Sequence, residues 1–449
     1  MGITRSWYYS ELPNVYLIRH PSNVFRWNRA AGSEAYGVYY MLDDSTKGLD
    51  AVSEICPSGN AIGELSNNIV HSNRKTGLRI TTLVSRTNPC APIKSDLLAD
   101  KYSQNPSIAN TISNITIYKS GDKGLLVQDV GATTFVNITV ADNSNCGIMF
   151  LNTDYSNSNV TLQNAIIVGS SSNNGDNSTS PTGLSVPFSV SFKASGVTYY
   201  RFFSGTATAV SSNTLSPDFI MSFFEKIRYS NVNCQFVNWN GIRDIFVDLD
   251  GTLTRPFFSN TPPPNFSSAY LIPRLEANLI QDKCYPDSTN RWPNSLLCNS
   301  QTKPRTVVLY GLSPFYWNGL VLTRVNQYNS VPLSNSNYLY GEWSQSYTNS
   351  WALSFIPNNT YEIRMEYTNN FLRLFIASSR FMLESDPAVI LRFVYTESRE
   401  LYEIKRIIAG VAGSLLVAQT DFLNATSCTA GDYYHNHSAT YVDICVTAR

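Results

Sequence analysis

The stretch from residue 114 to residue 168 repeats one short motif, and this repeat limits what the chain can form. Each copy opens with Asn, continues with an alternating apolar run, turns, and ends in a second apolar run. The copies open at Asn114, Asn137 and Asn159, so the period is 23 and then 22 residues. Such a unit is too short for a strand–helix–strand crossover, and we therefore predict the stacked coils of a right-handed parallel β-helix.

The repeat also predicts what holds the coils together. One coil cannot bury its inward Ile, Val and Leu side chains alone, whereas each strand of a stack bonds to the next coil about 4.8 Å away. The Asn that opens a copy is expected to hydrogen-bond the backbone at a corner. The Gly of the turn, Gly124 or Gly147, is expected to accept a left-handed backbone conformation.

Changes in pattern along the sequence divide the chain into three parts. Residues 1–260 carry the β-helix pattern and are interrupted by polar loops. The expected loop insertions lie at about 43–60, 85–108 and 169–183. The proline run 262–264 ends the pattern, and we interpret residues 261–300 as a linker that contains two cysteines. Short alternating runs then predict a smaller antiparallel β-sandwich-like domain over residues 301–449, which makes the whole chain all-β.

Composition excludes two classes of partner. The net charge is zero and only 15% of residues are charged, whereas nucleic acids and anionic membrane surfaces attract dense positive charge. The longest apolar run, residues 407–418, is too short to span a bilayer, so direct membrane insertion of this segment is not expected. The first residues lack the apolar core of a signal peptide, so a secreted chain of this sequence is either cleaved or a piece of a longer protein. We favour the piece, because the first residues already resemble the middle of a solenoid.

The cysteines and glycosylation motifs indicate an extracellular or cell-surface chain. The eight cysteines contain no Cys-x-x-Cys pair and are interpreted as disulfides and not as a metal site: Cys56, Cys90, Cys146, Cys234, Cys284, Cys298, Cys428 and Cys445. Expected bridges join Cys56 to Cys90, Cys284 to Cys298, and the pair Cys428 and Cys445 within the final hairpin. Eight Asn-x-Ser/Thr acceptors predict covalent glycans at Asn114, Asn137, Asn159, Asn177, Asn265, Asn358, Asn424 and Asn436.

Two neighbouring strings resemble a known family. The first reads Ala-Gly-Ser-Glu-x-Tyr-Gly-x-Tyr over residues 31–39, and the second runs from Gly63-Glu64 through Asn67-Asn68 and His71-Ser72-Asn73 to Gly77-Leu78-Arg79-Ile80. Together they resemble the β-helix region of fibrocystin, the fibrocystin-like proteins and the cell-surface hyaluronidases that carry a G8 domain. The resemblance extends to an acidic strand at residues 244–252, and more loosely into the last 150 residues. It implies a β-helix in a cell-surface protein, while the G8 domain itself is not evident, as expected of a fragment.

The acidic strand is the sharpest chemical motif. Asp248-Leu-Asp250-Gly-Thr252 spells the first motif of haloacid-dehalogenase-type phosphatases, in which the first Asp attacks phosphorus and the second acts as acid and base. That fold needs a doubly wound sheet with helices, and no such rhythm surrounds the motif. We therefore interpret it as an acidic turn that binds backbone or a structural calcium ion, and keep a phosphatase as a remote alternative; no other cofactor is expected.

Carbohydrate cleavage is the second chemical hypothesis. Parallel β-helices can process polysaccharide along a groove, and the resemblance includes proteins described as hyaluronidases. If the chain is an enzyme, the candidate catalytic residues are Asp244, Asp248, Asp250, Glu64 and His71. Glu64 and His71 belong to the string that fibrocystin-like proteins share, and those proteins are not generally regarded as enzymes.

The leading interpretation is a structural or adhesive extracellular glycoprotein. A fragment of a larger cell-surface protein, or a subunit of an extracellular fibre or flagellar appendage, fits a stack of coils whose strand edges need cover. Its partners would then be other copies of itself or neighbouring extracellular proteins. The alternative is a polysaccharide-binding or depolymerising protein, with polysaccharide as its partner.

Overall fold

The structure is a computed structural model of the chain. It describes residues 13–46, 54–91, 105–151, 160–174, 182–187, 192–202, 208–212, 221–232, 245–254, 268–273, 284–286 and 295–299, and beyond residue 300 the strands given below. The described strands fall into two compact units. Apart from one 3-10 turn, Pro57–Gly59, the regular elements of the described residues are β-strands, which confirms the all-β fold class.

The first unit contains short strands in chain order: β1 Tyr16–Ile18, β2 Val24–Arg26, β3 Arg29–Ala31, β4 Val38–Met41, β5 Glu64–Ser66, β6 Ile69–His71, β7 Leu78–Leu83, β8 Asn110–Tyr118, β9 Lys123–Val130, β10 Thr133–Ala141, β11 Cys146–Phe150, β12 Val160–Gln163, β13 Ile166–Val168, β14 Thr182–Val186, β15 Phe192–Ser195, β16 Thr198–Phe202, β17 Thr208–Ser212, β18 Met221–Glu225 and β19 Arg228–Val232. The second unit contains β20 Ile245–Asp248, β21 Ala269–Pro273, β22 Cys284–Pro286, β23 Ser295–Asn299, β24 Arg305–Gly311, β25 Leu320–Arg324, β26 Ser330–Leu333, β27 Asn349–Phe355, β28 Thr360–Met365, β29 Leu374–Ser378, β30 Val389–Val394, β31 Lys405–Ile408, β32 Val411–Leu415, β33 Tyr433–Asn436 and β34 Tyr441–Val446.

The strands of the first unit stack in parallel ladders, as a β-helix requires. One ladder runs β1-β4-β7-β9-β11-β14-β17, and every neighbour in it is parallel. Its inward side chains form columns in which Tyr40, Ile80, Val127 and Phe150 are fully buried. Each coil therefore buries its apolar residues against the coils before and after it.

A second ladder bends at a corner and has two arms. The first arm contains β2, β5, β12, β15 and β18, and the second contains β3, β6, β13, β16 and β19. The longer strands β8 and β10 run through the corner and belong to both arms. The predicted parallel β-helix is thus confirmed for this unit.

The register of the third sequence copy differs from the prediction. Val136 lies beside Gln163 and Thr139 beside Ile166, so Asn164, not Asn159, follows Asn137 in the stack, and this period is 27 residues. The prediction was wrong because alternating apolar runs flank the corner on both sides. Val160-Thr-Leu, which the repeat aligns with the run after the corner, is the strand before it.

Residues with a left-handed backbone conformation form the corner between the two arms. Trp27, Asn67, Asn114, Asn137, Asn164, Gly196 and Lys226 occupy this position in successive coils, and all have positive φ. Asn tolerates this conformation better than other residues that carry a side chain, which explains why the repeat opens with Asn. The left-handed turn was predicted for the repeat glycines, and that prediction was wrong.

The repeat glycines are instead required by close packing. One column of glycines lies at the start of the first ladder's strands: Gly37 and Gly77 immediately precede β4 and β7, and Gly124, Gly147 and Gly183 are the second residues of β9, β11 and β14. A Cβ on Gly77 would lie 2.3 Å from Cγ2 of Ile117 and 2.9 Å from the carbonyl oxygen of Gly124. Only hydrogen fits there, because the second ladder and the next coil both approach the backbone.

The second unit is mainly antiparallel. Strands β20, β21, β23 and β22 form one antiparallel sheet, so residues 261–300 contain paired strands. Farther along, β24 pairs with β27 and β29, and β31 pairs with β32. A third sheet has the order β26-β25-β28-β30-β34-β33, in which β28 and β30 form the one parallel pair. The limits of the predicted domains stay predictions.

Within the part of the chain that the structure describes, no helix has the length and apolar character to cross a bilayer.

Candidate functional site

The acidic motif forms a closed turn at the end of β20. The backbone N–H and the hydroxyl of Thr254 both donate to Oδ2 of Asp248, at 2.9 and 2.7 Å. The backbone N–H and the hydroxyl of Thr252 both donate to Oδ1 of Asp250, at 3.1 and 2.5 Å. Gly251 between them has φ of 75°. The aspartates therefore hold the chain reversal that follows the strand.

Burial dominates the electrostatics of Asp248. Its side chain is fully buried, and Oδ1 has no hydrogen-bond donor among the described residues. Desolvation raises the pKa of Asp248, while the hydrogen bonds from Thr254 and the backbone of Leu253 oppose that rise. A carboxylate in this position is not accessible to a substrate.

This geometry does not fit the phosphatase interpretation of the motif. A phosphatase nucleophile must be exposed at the end of a parallel strand that is followed by a helix. Asp248 is buried, and β20 pairs antiparallel with β21. The phosphatase hypothesis is therefore wrong.

A structural calcium ion at this turn stays a prediction. Calcium takes six to eight oxygen ligands. Oδ2 of Asp248 and Oδ1 of Asp250 already accept hydrogen bonds. The residues that the structure describes include no group of three or more His, Cys, Asp or Glu side chains placed to hold a metal.

Glu64 and His71 lie on different arms of the same coil. Glu64 in β5 accepts a hydrogen bond from the Ser66 hydroxyl at 2.7 Å and pairs with Arg26 at 3.4 Å. His71 in β6 stacks on Tyr118 of the next coil, with ring centroids 4.8 Å apart and planes within 4° of parallel. Its Nδ1 lies 3.1 Å from the Ser72 hydroxyl.

The candidate catalytic residues that the structure describes belong to different elements. The left-handed corner at Asn67 separates the arm of Glu64 from the arm of His71. Asp248 and Asp250 belong to the second unit, and Asp244 lies outside the described residues.

The stack of His71 and Tyr118 was not predicted from the sequence. His71 pairs in register with Tyr118, and both side chains alternate with the buried Val70 and Ile117. Two residues that are 47 positions apart look unrelated in sequence. The repeat would have aligned them, since each lies four positions after its corner Asn, Asn67 or Asn114.

Two predicted disulfides are confirmed and one assignment is wrong. Cys56 is bonded to Cys90, and Cys284 to Cys298. Cys445 is also disulfide-bonded, while Cys428 and Cys234 lie outside the described residues. Cys146 was predicted to be in a disulfide but is a free thiol. It points into the β-helix core from β11, and desolvation there raises its pKa to about 12.

Two glycosylation motifs lie on adjacent coils. Asn114 and Asn137 are exposed at the corner, and Nδ2 of Asn137 donates to Oδ1 of Asn114 at 3.0 Å. The acceptors Asn159, Asn177, Asn265, Asn358 and Asn424 lie outside the described residues, and Asn436 ends β33. Glycan attachment stays a prediction at all eight.

Comparison with known proteins gives partial matches to cell-surface proteins. Residues 5–78 match the family model named CEMIP beta-helix. The human cell surface hyaluronidase CEMIP2 is 29% identical over 143 residues, which is 29% of this chain and 10% of the relative. The zebrafish (Danio rerio) cell surface hyaluronidase is 31% identical over 124 residues, 25% of this chain and 9% of the relative.

The longest of these matches is to a fibrocystin. Mouse fibrocystin-L is 26% identical over 266 residues, which is 54% of this chain and 6% of the relative. The chain thus spans at most a tenth of the length of the three relatives. The resemblance indicated by the two strings of residues 31–80 is confirmed: the chain carries a β-helix related to that of the cell-surface hyaluronidases and the fibrocystin-like proteins.

Proposed function

We propose that this chain is a structural or adhesive extracellular glycoprotein. It would be either a segment of a larger cell-surface protein or a subunit of an extracellular fibre or flagellar appendage. The observation that carries the proposal is that the polar side chains of the β-helix bind neighbouring coils. A stack built in this way forms an extended surface on which a partner can bind.

Buried asparagines supply these links. Oδ1 of Asn68 accepts a hydrogen bond from the backbone N–H of Asn28 at 2.9 Å, and Nδ2 of Asn68 donates to the carbonyl oxygen of Phe25 at 2.9 Å. Oδ1 of Asn143 likewise accepts from the backbone N–H of Ser120 at 3.0 Å. Such bonds satisfy backbone groups at the corners that the parallel ladders leave unpaired.

The chemistry of the chain supports an extracellular location. Disulfides persist in oxidising compartments, and two bridges lie within the described residues. The relatives named above include proteins named for the cell surface.

Secretion and assembly test the proposal together. The chain would be expressed behind an export signal in eukaryotic cells, and the secreted protein examined by negative-stain electron microscopy. We expect secreted, disulfide-bonded protein that forms ordered assemblies with itself or with an extracellular protein. Retention of reduced protein in the cytosol would contradict the proposal.

Polysaccharide binding or cleavage is the second candidate function. Two of the relatives are named cell surface hyaluronidase, and this name supports testing the chain on hyaluronan. A binding assay with immobilised hyaluronan separates binding from cleavage. Binding without release of reducing ends would support adhesion to polysaccharide rather than catalysis.

A further inference from the structure

One face of the β-helix is an uncharged strip in its middle coils. The second arm of the corner ladder exposes two side chains from each strand, here called the outer strip. Its members are Arg29 and Ala31 in β3, Ile69 and His71 in β6, Thr116 and Tyr118 in β8, Thr139 and Ala141 in β10, Ile166 and Val168 in β13, Thr198 and Tyr200 in β16, and Arg228 and Ser230 in β19. None of these residues is acidic, and the two arginines lie at its ends.

Apolar and aromatic side chains of the outer strip are exposed. Ile166 is 41% and Tyr200 37% exposed, and the stacked rings of His71 and Tyr118 are partly exposed. A flat, uncharged sheet face of this kind promotes association between molecules unless something covers it.

The glycosylation motifs lie along the edge of this strip. Asn114 and Asn137 form the corner from which the strip begins, and the threonines of their motifs, Thr116 and Thr139, are members of the strip itself. Glycans attached there would start two residues from the strip on two successive coils.

We propose that N-linked glycans on Asn114 and Asn137 lie over the outer strip and shield it, with sugar rings packed on Tyr118. This inference rests on the proposed extracellular glycoprotein. The apolar C–H face of an N-acetylglucosamine ring can pack on a tyrosine ring; one face of Tyr118 stacks on His71, and its neighbour on the following coil is the small Ala141. Between its terminal arginines the strip has no Lys, Arg, Asp or Glu side chain that would favour an ionic partner in place of the glycan.

The covalent step is compatible with the observed corner. Transfer bonds the anomeric carbon of the first sugar to Nδ2 of Asn, releases one Nδ2 proton, and frees the lipid diphosphate that carried the glycan. One N–H remains on Nδ2 of Asn137, so this nitrogen keeps a hydrogen-bond donor after modification.

Hydroxyl-radical footprinting of the secreted, glycosylated chain tests the shield. Oxidation of Tyr118 would be compared between protein that carries the glycans and protein that lacks them. The glycans are removed either by the double substitution Asn114→Asp/Asn137→Asp or by peptide N-glycosidase treatment of the folded protein. The enzyme converts each glycosylated Asn to Asp, so both routes leave the same aspartates. We expect a several-fold rise in Tyr118 oxidation. Tyr200, three coils farther along, serves as the internal reference and is expected to stay unchanged. The variant Asn164→Asp, at the next corner and outside any glycosylation motif, controls for the added charge.

Glycopeptide mass spectrometry of the same sample separates the possible failures. Occupied motifs with equal Tyr118 oxidation in all forms would overturn the shield and leave the glycoprotein proposal intact. Empty motifs on secreted protein would overturn the shield and restrict the proposed function to an unglycosylated extracellular structure. Protein retained in the cytosol would overturn both.

Discussion

The space available for a Cβ atom determines which positions of the repeat need glycine. In the column of Gly37, Gly77, Gly124 and Gly147, an added Cβ would lie less than 3.0 Å from a neighbouring atom. Gly32, by contrast, has φ of 76°, and no atom lies within 4 Å of the position that a Cβ would take there. The two kinds of glycine should therefore respond differently to substitution.

Replacing Gly77 with Ala tests the packing requirement. The new methyl would overlap Ile117, so we expect the free energy of unfolding to fall by about 1–3 kcal/mol. The matched control is Gly32→Asn, because Asn accepts positive φ, and a change within about 0.5 kcal/mol is expected. Urea unfolding of both variants gives the comparison; equal losses would mean that backbone conformation matters more than space.

Asp248 should make stability depend on pH. Its pKa is raised above the unfolded value of 3.8, so the stabilisation it provides is complete below that value and is lost as the pH rises through the folded pKa. Asp248→Asn should remove this decline, which is at most about 1.4 kcal/mol per pH unit for one proton. Thr254→Val should extend the decline to higher pH, because it removes a hydrogen bond to the charged form. A pH series of unfolding curves checks both; an unchanged profile in Asp248→Asn contradicts this role.

Among the elements, strand pairing was predicted better than strand register. Alternating apolar residues and a repeat of 22 to 23 residues are enough to predict parallel coils, because a unit of that length has no room for a helix between its strands. The alternation and the repeat length do not determine which apolar run precedes a corner. Thr133–Val136 and Val160–Gln163, which precede corners, alternate in the same way as the apolar runs that follow the corners. The period from Asn137 to Asn164 is 27 residues, four longer than the 23 from Asn114 to Asn137, and this difference shifts the apparent repeat.

Engineered disulfides can test the register directly. Asn137 and Asn164 are neighbours in the stack, where adjacent backbones are about 4.8 Å apart, within the Cα–Cα range of a disulfide. Asn137→Cys/Asn164→Cys should therefore cross-link on oxidation, and Asn137→Cys/Asn159→Cys should not. Peptide mapping without reductant identifies the bridge. The opposite result would restore the register predicted from the sequence.

The cysteines of the loops form a disulfide, whereas Cys146 in the β-helix core is a free thiol. The bridge between Cys56 and Cys90 spans 34 residues, and replacing both with Ser should lower the free energy of unfolding by roughly 2–4 kcal/mol.

Cys146 should resist alkylation in the folded protein at pH 8 and react once the protein is unfolded without reductant, because burial raises its pKa to about 12. Mass mapping of the labelled cysteine checks this; rapid native labelling of Cys146 would contradict its buried position.

For the molecule as a whole, the sequence predicted fold class better than chemistry. The strings of residues 31–80 indicated the related proteins correctly, and two bridges were correctly paired. Neither the burial of Asp248 nor the free thiol of Cys146 was predicted, because both depend on which side of a strand faces the core. An acidic motif or an even number of cysteines does not contain that information.

The most direct test of the structural role is a reducing-end assay on hyaluronan with the secreted, glycosylated chain. A structural or adhesive protein releases no reducing ends above a buffer blank, and Asp248→Asn and Asp250→Asn leave that result unchanged. Release of ends by the native chain, abolished by either substitution at unchanged stability, would contradict the structural role and make the chain a depolymerase.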